Sequence, residues 1–477
     1  MSFPKYPEYK DSGVEWLGEV PVHWAVQRLK WSTASCRNGV WGDEPKGDEN
    51  DILCIRVADF DRPRMRVSLS KPTYRNVTVN ERKGRLVHPG DLLLEKSGGG
   101  EKQPVGFVVL YDDGDPAVCS NFVARIELSE GMSPSFWRYV HAAGYAVRLN
   151  VPSIKQTSGI QNLDQKSYLD EQGAFPPADE QIRIAAFLDH QTKKIDTLIA
   201  EQRRLIELLK EKRQAVISHA VTKGLDPNVA MKDSGVEWLG EVPVHWTVAA
   251  LRWYATIQGG LAKGKKYGLD EPVVSRPYLR VANVQDGHFN LSVVHDVAVG
   301  LSEVSRYELR EGDVLMNEGG DSDKLGRGAV WQGAIEGCLH QNHVFAIRPN
   351  RHLSATWLSM FTRSDSARSY FYLYSKQSTN LASISSRNVM ACPVPIPPIK
   401  EQREILGRLS DALVQIDGLM DETEGAMALL QERRSALISA AVTGKIDVRG
   451  WSAAAEEPGL GMVAEESVGY SAQGGAA

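Results

Sequence analysis

Lys10–Trp24 reads KDSGVEWLGEVPVHW, and Lys232–Trp246 reads the same fifteen letters 222 positions later. Identity over fifteen residues that include two tryptophans and a histidine is not coincidence, and a repeat of this kind decides how the chain must be divided. The echo continues more weakly outward. Cys54–Phe60 (CIRVADF) resembles Tyr278–Val284 (YLRVANV), and Pro89–Leu94 (PGDLLL) resembles Glu311–Met316 (EGDVLM). Lys155-Gln156-Thr157-Ser158 is matched by Lys376-Gln377-Ser378-Thr379, and Pro177–Gln181 (PADEQ) by Pro398–Gln402 (PIKEQ). The offset stays near 221–224, so a whole unit is duplicated. A period this long means two domains, not a solenoid of short repeats.

Each unit has two parts. The first is a run of short segments rich in Val, Ile and Leu and separated by Gly, Pro and Asp, which predicts strands. They are Ile52–Ala58, Asp91–Glu95, Val105–Leu110 and Val123–Leu128, with counterparts Pro277–Ala282, Asp313–Asn317, Gly328–Gln332 and Val344–Arg348. Ser133–Arg148 and Ser354–Tyr370 read as helices between them, giving a mixed α/β (α+β) globule. The second part is a long helix whose N-cap is expected at Asp179, after Pro176-Pro177. Its apolar seam is expected at Ile184, Leu188, Gln191, Ile195, Leu198, Gln202, Leu205, Leu209, Lys212 and Val216. The second copy gives Ile405, Leu409, Ala412, Ile416, Leu419, Thr423, Ala426, Leu430, Arg433 and Leu437. The steps alternate between four and three, as a coiled coil requires. One amphipathic helix means little, but two matching ones favour pairing with each other. With only Gly224–Pro227 as the joint, the second helix must run back along the first, so the pair is expected to be antiparallel. The seam should span about 50 Å at 1.5 Å per residue.

Composition sets further bounds. The 477 residues, 42% of them hydrophobic, can build several cores. The net charge of -5 and pI near 6.2 argue mildly against a polyanion partner, although the placement of charge matters more than its sum. Cys36, Cys54, Cys119, Cys338 and Cys392 are scattered and form no C-x-x-C pair, as expected in a reducing compartment. No apolar run of membrane-spanning length and no signal peptide is read, so a cytoplasmic location is expected.

Tyr6–Trp24 (YPEYKDSGVEWLGEVPVHW), its second copy and the P-x-x-E-Q lead-in to each long helix together resemble the specificity subunits of Type I restriction–modification systems. The resemblance covers the chain up to about residue 446. It implies target-recognition domains at 1–176 and 224–396 and spacer helices at 177–223 and 397–445, while the composition of 446–477, rich in Ala, Gly, Glu and Ser, predicts a disordered tail. It also implies double-stranded DNA with a bipartite site as ligand, two methylation subunits docked along the helices, and nuclease/translocase subunits that join them. S-adenosylmethionine, ATP and Mg are then expected on the partners, and none on this chain. Lobes that are similar but not identical should read an asymmetric site. Lobes about 50 Å apart suit half-sites one to one and a half turns of B-DNA apart, a turn being about 34 Å.

Base reading needs Arg or Lys for guanine and Asn or Gln for adenine, while phosphate anchoring needs cations, small hydroxyls and backbone N–H groups. Three stretches per lobe qualify. The first holds Lys96, Ser97, Lys102 and Gln103 around three glycines, with Lys324 and Arg327 in the other copy beside the acidic Glu318, Asp321 and Asp323. The bland alternative is a hairpin loop with solvated charges. The second holds Lys155, Gln156, Thr157, Ser158, Gln161 and Asn162, matched by Lys376, Gln377, Ser378, Thr379, Asn380 and Arg387. Its alternative is a helix N-terminal turn. The third holds Arg37, Asn38 and Trp41, then Lys263, Lys265, Lys266 and Tyr267, where solubilising lysines are the alternative. Arg56 and Arg280 are read as scaffold, Asn121 and Asn342 as buried residues that brace a loop, and His23 and His245 as packing residues.

Catalysis is not expected. The chain lacks a methyltransferase's glycine-rich loop and N-P-P-Y-type tetrad, a Walker lysine, and a carboxylate set repeated in both lobes. The alternatives are a coiled-coil scaffold with little DNA affinity and an unrecognised nuclease.

Overall fold

The computed structural model describes residues 3–157, 159–268, 270–320, 325–377 and 382–453. The chain divides into two units, one made of Met1–Glu201 with Ala426–Ala477 and the other of Gln202–Gly425. In unit 1 a sheet runs in the order Thr33–Asn38, Val123–Leu128, Leu92–Glu95, Val108–Leu110, then Arg66–Val67 and Phe60–Asp61. In unit 2 the order Ala255–Gly259, Val344–Pro349, Val314–Asn317, Gly328–Val330 repeats its first four strands. The register repeats too: Leu92 faces Ile126 and Val314 faces Ile347. One ion pair to a buried aspartate is reproduced, since Arg125 Nε lies 2.6 Å from Asp91 and Arg348 Nε lies 2.7 Å from Asp313. Ser133 caps a helix over Pro134–Ala146, close to expectation. Its counterpart is broken into Ala355–Thr362 and Asp365–Leu373, because the Ser364 side chain accepts from Ala367 N and starts a new helix.

The long helices are α1 (Ala178–Lys223, 46 residues) and α2 (Ile399–Val442, 44 residues). Asp179 is not the cap of α1. It lies with Glu180 in the first turn, where carboxylates meet the positive helix end. What fixes both helix starts is the fifteen-residue repeat together with P-x-x-E-Q. His23 Nε2 lies 2.9 Å from Glu180, and His245 Nε2 lies 2.8 Å from Glu401. The adjacent glutamines are buried. Gln181 accepts from Ser133 N and donates to Pro176 O, and Gln402 accepts from Ser354 N and donates to Pro397 O. Each thereby joins the lobe's own helix to the start of the long one.

The seam differs from expectation at matched places. Leu198, Leu205 and Leu419 are 44%, 42% and 50% exposed, while Ile199 and Ile206 are 6% and 7% exposed. The buried stripe passes Ile184, Leu188, Thr192, Ile195, Ile199, Ile206 and Leu209, and in α2 Ile405, Leu409, Leu413, Ile416, Thr423 and Ile438. Leu430 and Leu437 are half-buried. Two successive steps of four, at 184–188–192 and 405–409–413, turn the stripe by one residue. Thr192 is held there by bonding to Leu188 O at 2.7 Å. Ion pairs occupy matched positions: Asp196 with Arg434 at 2.9 Å in unit 1, and Asp417 with Arg213 at 2.8 Å in unit 2.

The expected disordered tail is corrected over 446–453. Ile446 and Val448 are buried in the core of unit 1, and the Trp451 ring packs edge-on to Phe187 at 5.3 Å. These apolar residues outweigh the composition around them. Residues 454–477 lie outside the described residues. Asn121 is exposed and Asn342 half-buried, so neither is the buried brace expected of them. All five cysteines are free. Among the described residues no helix is long and apolar enough to cross a membrane.

The corrected seam has a direct test. Ile206→Ala should cost about 2–4 kcal/mol in urea unfolding, whereas Leu205→Ala should stay within about 0.5 kcal/mol. Equal costs would restore the original seam.

Candidate nucleic-acid interface

Two of the three expected stretches, about sixty residues apart in sequence, meet in one small sheet per unit. In unit 1, β1 (Ser97–Gly98) pairs with β3 (Ile160–Leu163), which pairs with β2 (Ile154–Thr157). The second stretch is therefore a hairpin and not the helix turn considered as its alternative. In unit 2 the same order joins β4 (Gly319–Gly320), β6 (Ala382–Ser383) and β5 (Lys376–Gln377). The registers match: Ser97 faces Asn162, which faces Lys155, and Gly319 faces Ser383, which faces Lys376.

Burial separates the candidates. Ser97 and Gln161, on opposite faces of the small sheet, are both buried and brace it. Ser97 Oγ donates to Asn162 at 2.6 Å, and Gln161 Oε1 accepts from Val105 N at 3.2 Å. Lys155, Gln156, Lys376 and Gln377 are exposed, as are Lys102 and Gln103 on the adjoining turn and Arg387 on the helix Ser386–Ala391. Lys155 lies 2.7 Å from Asp164, and this hydrogen bond holds the Asp164 carboxyl below its usual range. Arg327 is half-buried beside Gly328–Val330, and its backbone oxygen accepts from Asn317 N. Ser158, Lys324, Ser378, Thr379 and Asn380, with Asp321 and Asp323, lie outside the described residues, as does the side chain of Thr157.

The third stretch borders the same edge in unit 1. Asn38 faces Ala124, which faces Leu94, two residues before Lys96. The close approach requires glycine next: a Cβ on Gly39 would lie 2.0 Å from Cys119 O, and one on the matched Gly260 would lie 2.0 Å from His340 O. Trp41 is exposed beneath the Arg75 guanidinium, 4.5 Å from its ring centroid. In unit 2, Lys263 and Lys266 are exposed, but Lys265 is held by Glu303 at 2.6 Å, which raises the lysine's pKa. That cation is already partnered.

Sequence reading missed Phe122 and His343, the matched residues that frame Lys96 and Glu318. Lys96 N donates to Phe122 O, and Lys96 O accepts from Leu163 N; Glu318 N donates to His343 O, and Glu318 O accepts from Ile384 N. The backbone frame is thus the same, while Lys–Phe in unit 1 becomes Glu–His in unit 2. Glu318 and His343 lie 2.8 Å apart. They share a cleft of about 550 Å³ with Val281, Gly319, Gly320, Lys376, Gln377, Ala382 and Ser383. The available signal was the matched Asn121 and Asn342 next door. Both edges offer hydrogen-bonding groups that can meet base edges, with different charge. Among the described residues no group of three or more His, Cys, Asp and Glu could hold a metal.

No family model matches the chain. In sequence it is similar to the EcoKI specificity subunit of a Type I restriction enzyme from Escherichia coli strain K12, 25% identical over 315 residues that span 66% of this chain and 65% of that subunit. It is also similar to the EcoBI specificity subunit from Escherichia coli, 22% identical over 451 residues, 93% of this chain and 90% of that one. In structure it is similar to a chain solved for the complex assembly and conformational transition of the type I R-M system, with a TM-score of 0.66, 16% identity, and coverage of 89% of this chain and 98% of that one. The HsdS subunit from Thermoanaerobacter tengcongensis gives a TM-score of 0.50 at 15% identity, with the same coverage. The relatives matched are Type I specificity subunits, and the chain shares the fold of the solved ones.

The division of labour within the small sheet predicts two different outcomes. Gln161→Leu leaves the buried Val105 N–H without its acceptor and should cost about 1–3 kcal/mol in denaturant unfolding. Lys155→Ala should change stability by no more than about 0.5 kcal/mol.

Proposed function

We propose that this chain is the specificity subunit of a Type I restriction–modification system, a non-catalytic reader of DNA sequence. Each unit reads one half of an asymmetric bipartite site through the edge built on its small sheet. The observation that carries this reading is the duplicated frame with unlike chemistry: matched hydrogen bonds position Lys96 in one unit and Glu318 in the other. Two readers that dock alike but contact bases differently are what an asymmetric split site needs. The relatives' own role as specificity subunits supports the same reading.

The two helices act as an antiparallel coiled-coil spacer with pseudo-two-fold symmetry and dock two methylation subunits, with nuclease/translocase subunits joining later. The matched ion pairs Asp196–Arg434 and Asp417–Arg213 support the pairing. S-adenosylmethionine, ATP and Mg belong to those partners, and the complex works in the cytoplasm. Cationic surface on the partners compensates for this chain's net charge of -5, so tight DNA binding awaits assembly.

Mapping methylated adenines made by the assembled complex tests the reading directly. A bipartite motif is expected, and a continuous or absent one overturns it. Replacing Lys155 and Gln156 by alanine should weaken only the half-site read by unit 1, by about 10- to 100-fold in binding. Equal loss in both halves would refute that assignment. Seven residues inserted at matched places, after Gln202 and after Thr423, should lengthen the gap by about three base pairs, given 1.5 Å per helical residue.

A further inference from the structure

We infer that the matched position held by Lys96 and Glu318 is where the two units part in the base they read, with Glu318 selecting cytosine and Lys96 guanine. The inference rests on the proposed reading of the chain as a DNA-recognition subunit and names the chemistry at that edge.

Both side chains leave the backbone from the same place. The flanking hydrogen bonds are 2.8 Å to Phe122 O and from Leu163 N around Lys96, and 2.9 Å to His343 O and from Ile384 N around Glu318. The preceding residues point inward: Glu95 pairs with Arg62 at 2.7 Å, and Asn317 Nδ2 donates to Val284 O at 3.0 Å. Alternation along a strand then directs position 96 or 318 to the other face. In unit 2 that face opens into the cleft of about 550 Å³ that Glu318 shares with His343, Lys376 and Gln377.

A carboxylate at a DNA-facing edge has few partners. Phosphates repel it, and the DNA backbone carries no hydrogen-bond donor. Donors in the major groove are the exocyclic amines, N4 of cytosine and N6 of adenine. Adenine sets its N7 acceptor beside that amine, where a second carboxylate oxygen meets lone-pair repulsion. Cytosine has no acceptor there. A carboxylate also offers about four acceptor sites, so the contact with His343 at 2.8 Å leaves capacity for a base and holds the group in place. Lys376 and Gln377 add donors in the same cleft, matching the O6 and N7 acceptors of the guanine paired to that cytosine. In unit 1 the same place carries an ammonium group beside exposed Phe122, and its preferred base is guanine. Each charge also rejects the other's base, which gives discrimination as well as affinity.

The experiment uses the full chain assembled with its methylation subunits and reads the methylated motif together with binding to duplexes that differ at one position. For the unaltered chain a cytosine is expected in the half-site of unit 2. Glu318→Lys should change that one position from cytosine to guanine and leave the other half unchanged. Glu318→Gln, which keeps the shape, should reduce the preference for cytosine by roughly 10-fold or more and admit adenine. Lys96→Glu should do the converse in the other half. If Glu318→Lys does not assemble, Glu318→Gln decides. An unchanged motif in the glutamine variant, or equal loss in both halves, overturns the inference. The absence of a bipartite motif from the unaltered chain would instead overturn the proposed function itself.

Discussion

The start of each long helix is held by a polar clamp on which the rest of each unit depends. A glutamate meets the histidine of the fifteen-residue repeat, and the next residue, a buried glutamine, ties the helix to the lobe beside it. A buried amide satisfied on both its oxygen and its nitrogen tolerates one geometry and is costly to misplace. The clamp therefore fixes the angle at which a helix of more than forty residues leaves its lobe. A small error there would be amplified along its length. The copies differ in one detail. Tyr6 takes an oxygen of Glu180 in unit 1, where the Trp24 indole N–H has no partner among the described residues. In unit 2, Trp246 donates to Glu401 instead.

Strict identity in one segment and free divergence in another then have a common explanation. The fifteen residues serve a geometric task that is the same in both units, and so they stay the same. The small sheets differ between the units in side-chain chemistry. Their backbone registers are preserved while the side chains change, as at Lys96 and Glu318 or Phe122 and His343. Frame and content are separable because a strand's ladder hydrogen bonds come from its backbone and its surface chemistry from its side chains.

Much of this was legible in the sequence. The duplication, both long helices and strands such as Val123–Leu128 follow from repeats and local pattern. The small sheets did not, because β1 and β3 lie about sixty residues apart and pair only through tertiary structure. The seam was misread where apolar neighbours compete. Leu198-Ile199 and Leu205-Ile206 fit a four-three pattern equally well until the extra step at Thr192 sets the phase. The segment over 446–453 was misjudged because average composition hid three anchors, Ile446, Val448 and Trp451. Among the candidate residues, burial was not legible: Ser97 and Gln161 are buried, because their partners Asn162 and Val105 come from distant segments of the chain.

The matched ion pairs carry a further consequence for the register of the long helices within each unit. Apolar stripes are forgiving of sliding, since one leucine packs much like another a heptad away. Asp196–Arg434 and Asp417–Arg213 are not, because a slip would leave partly buried charges without their opposites. The two pairs act as detents, and their contribution is to register more than to strength.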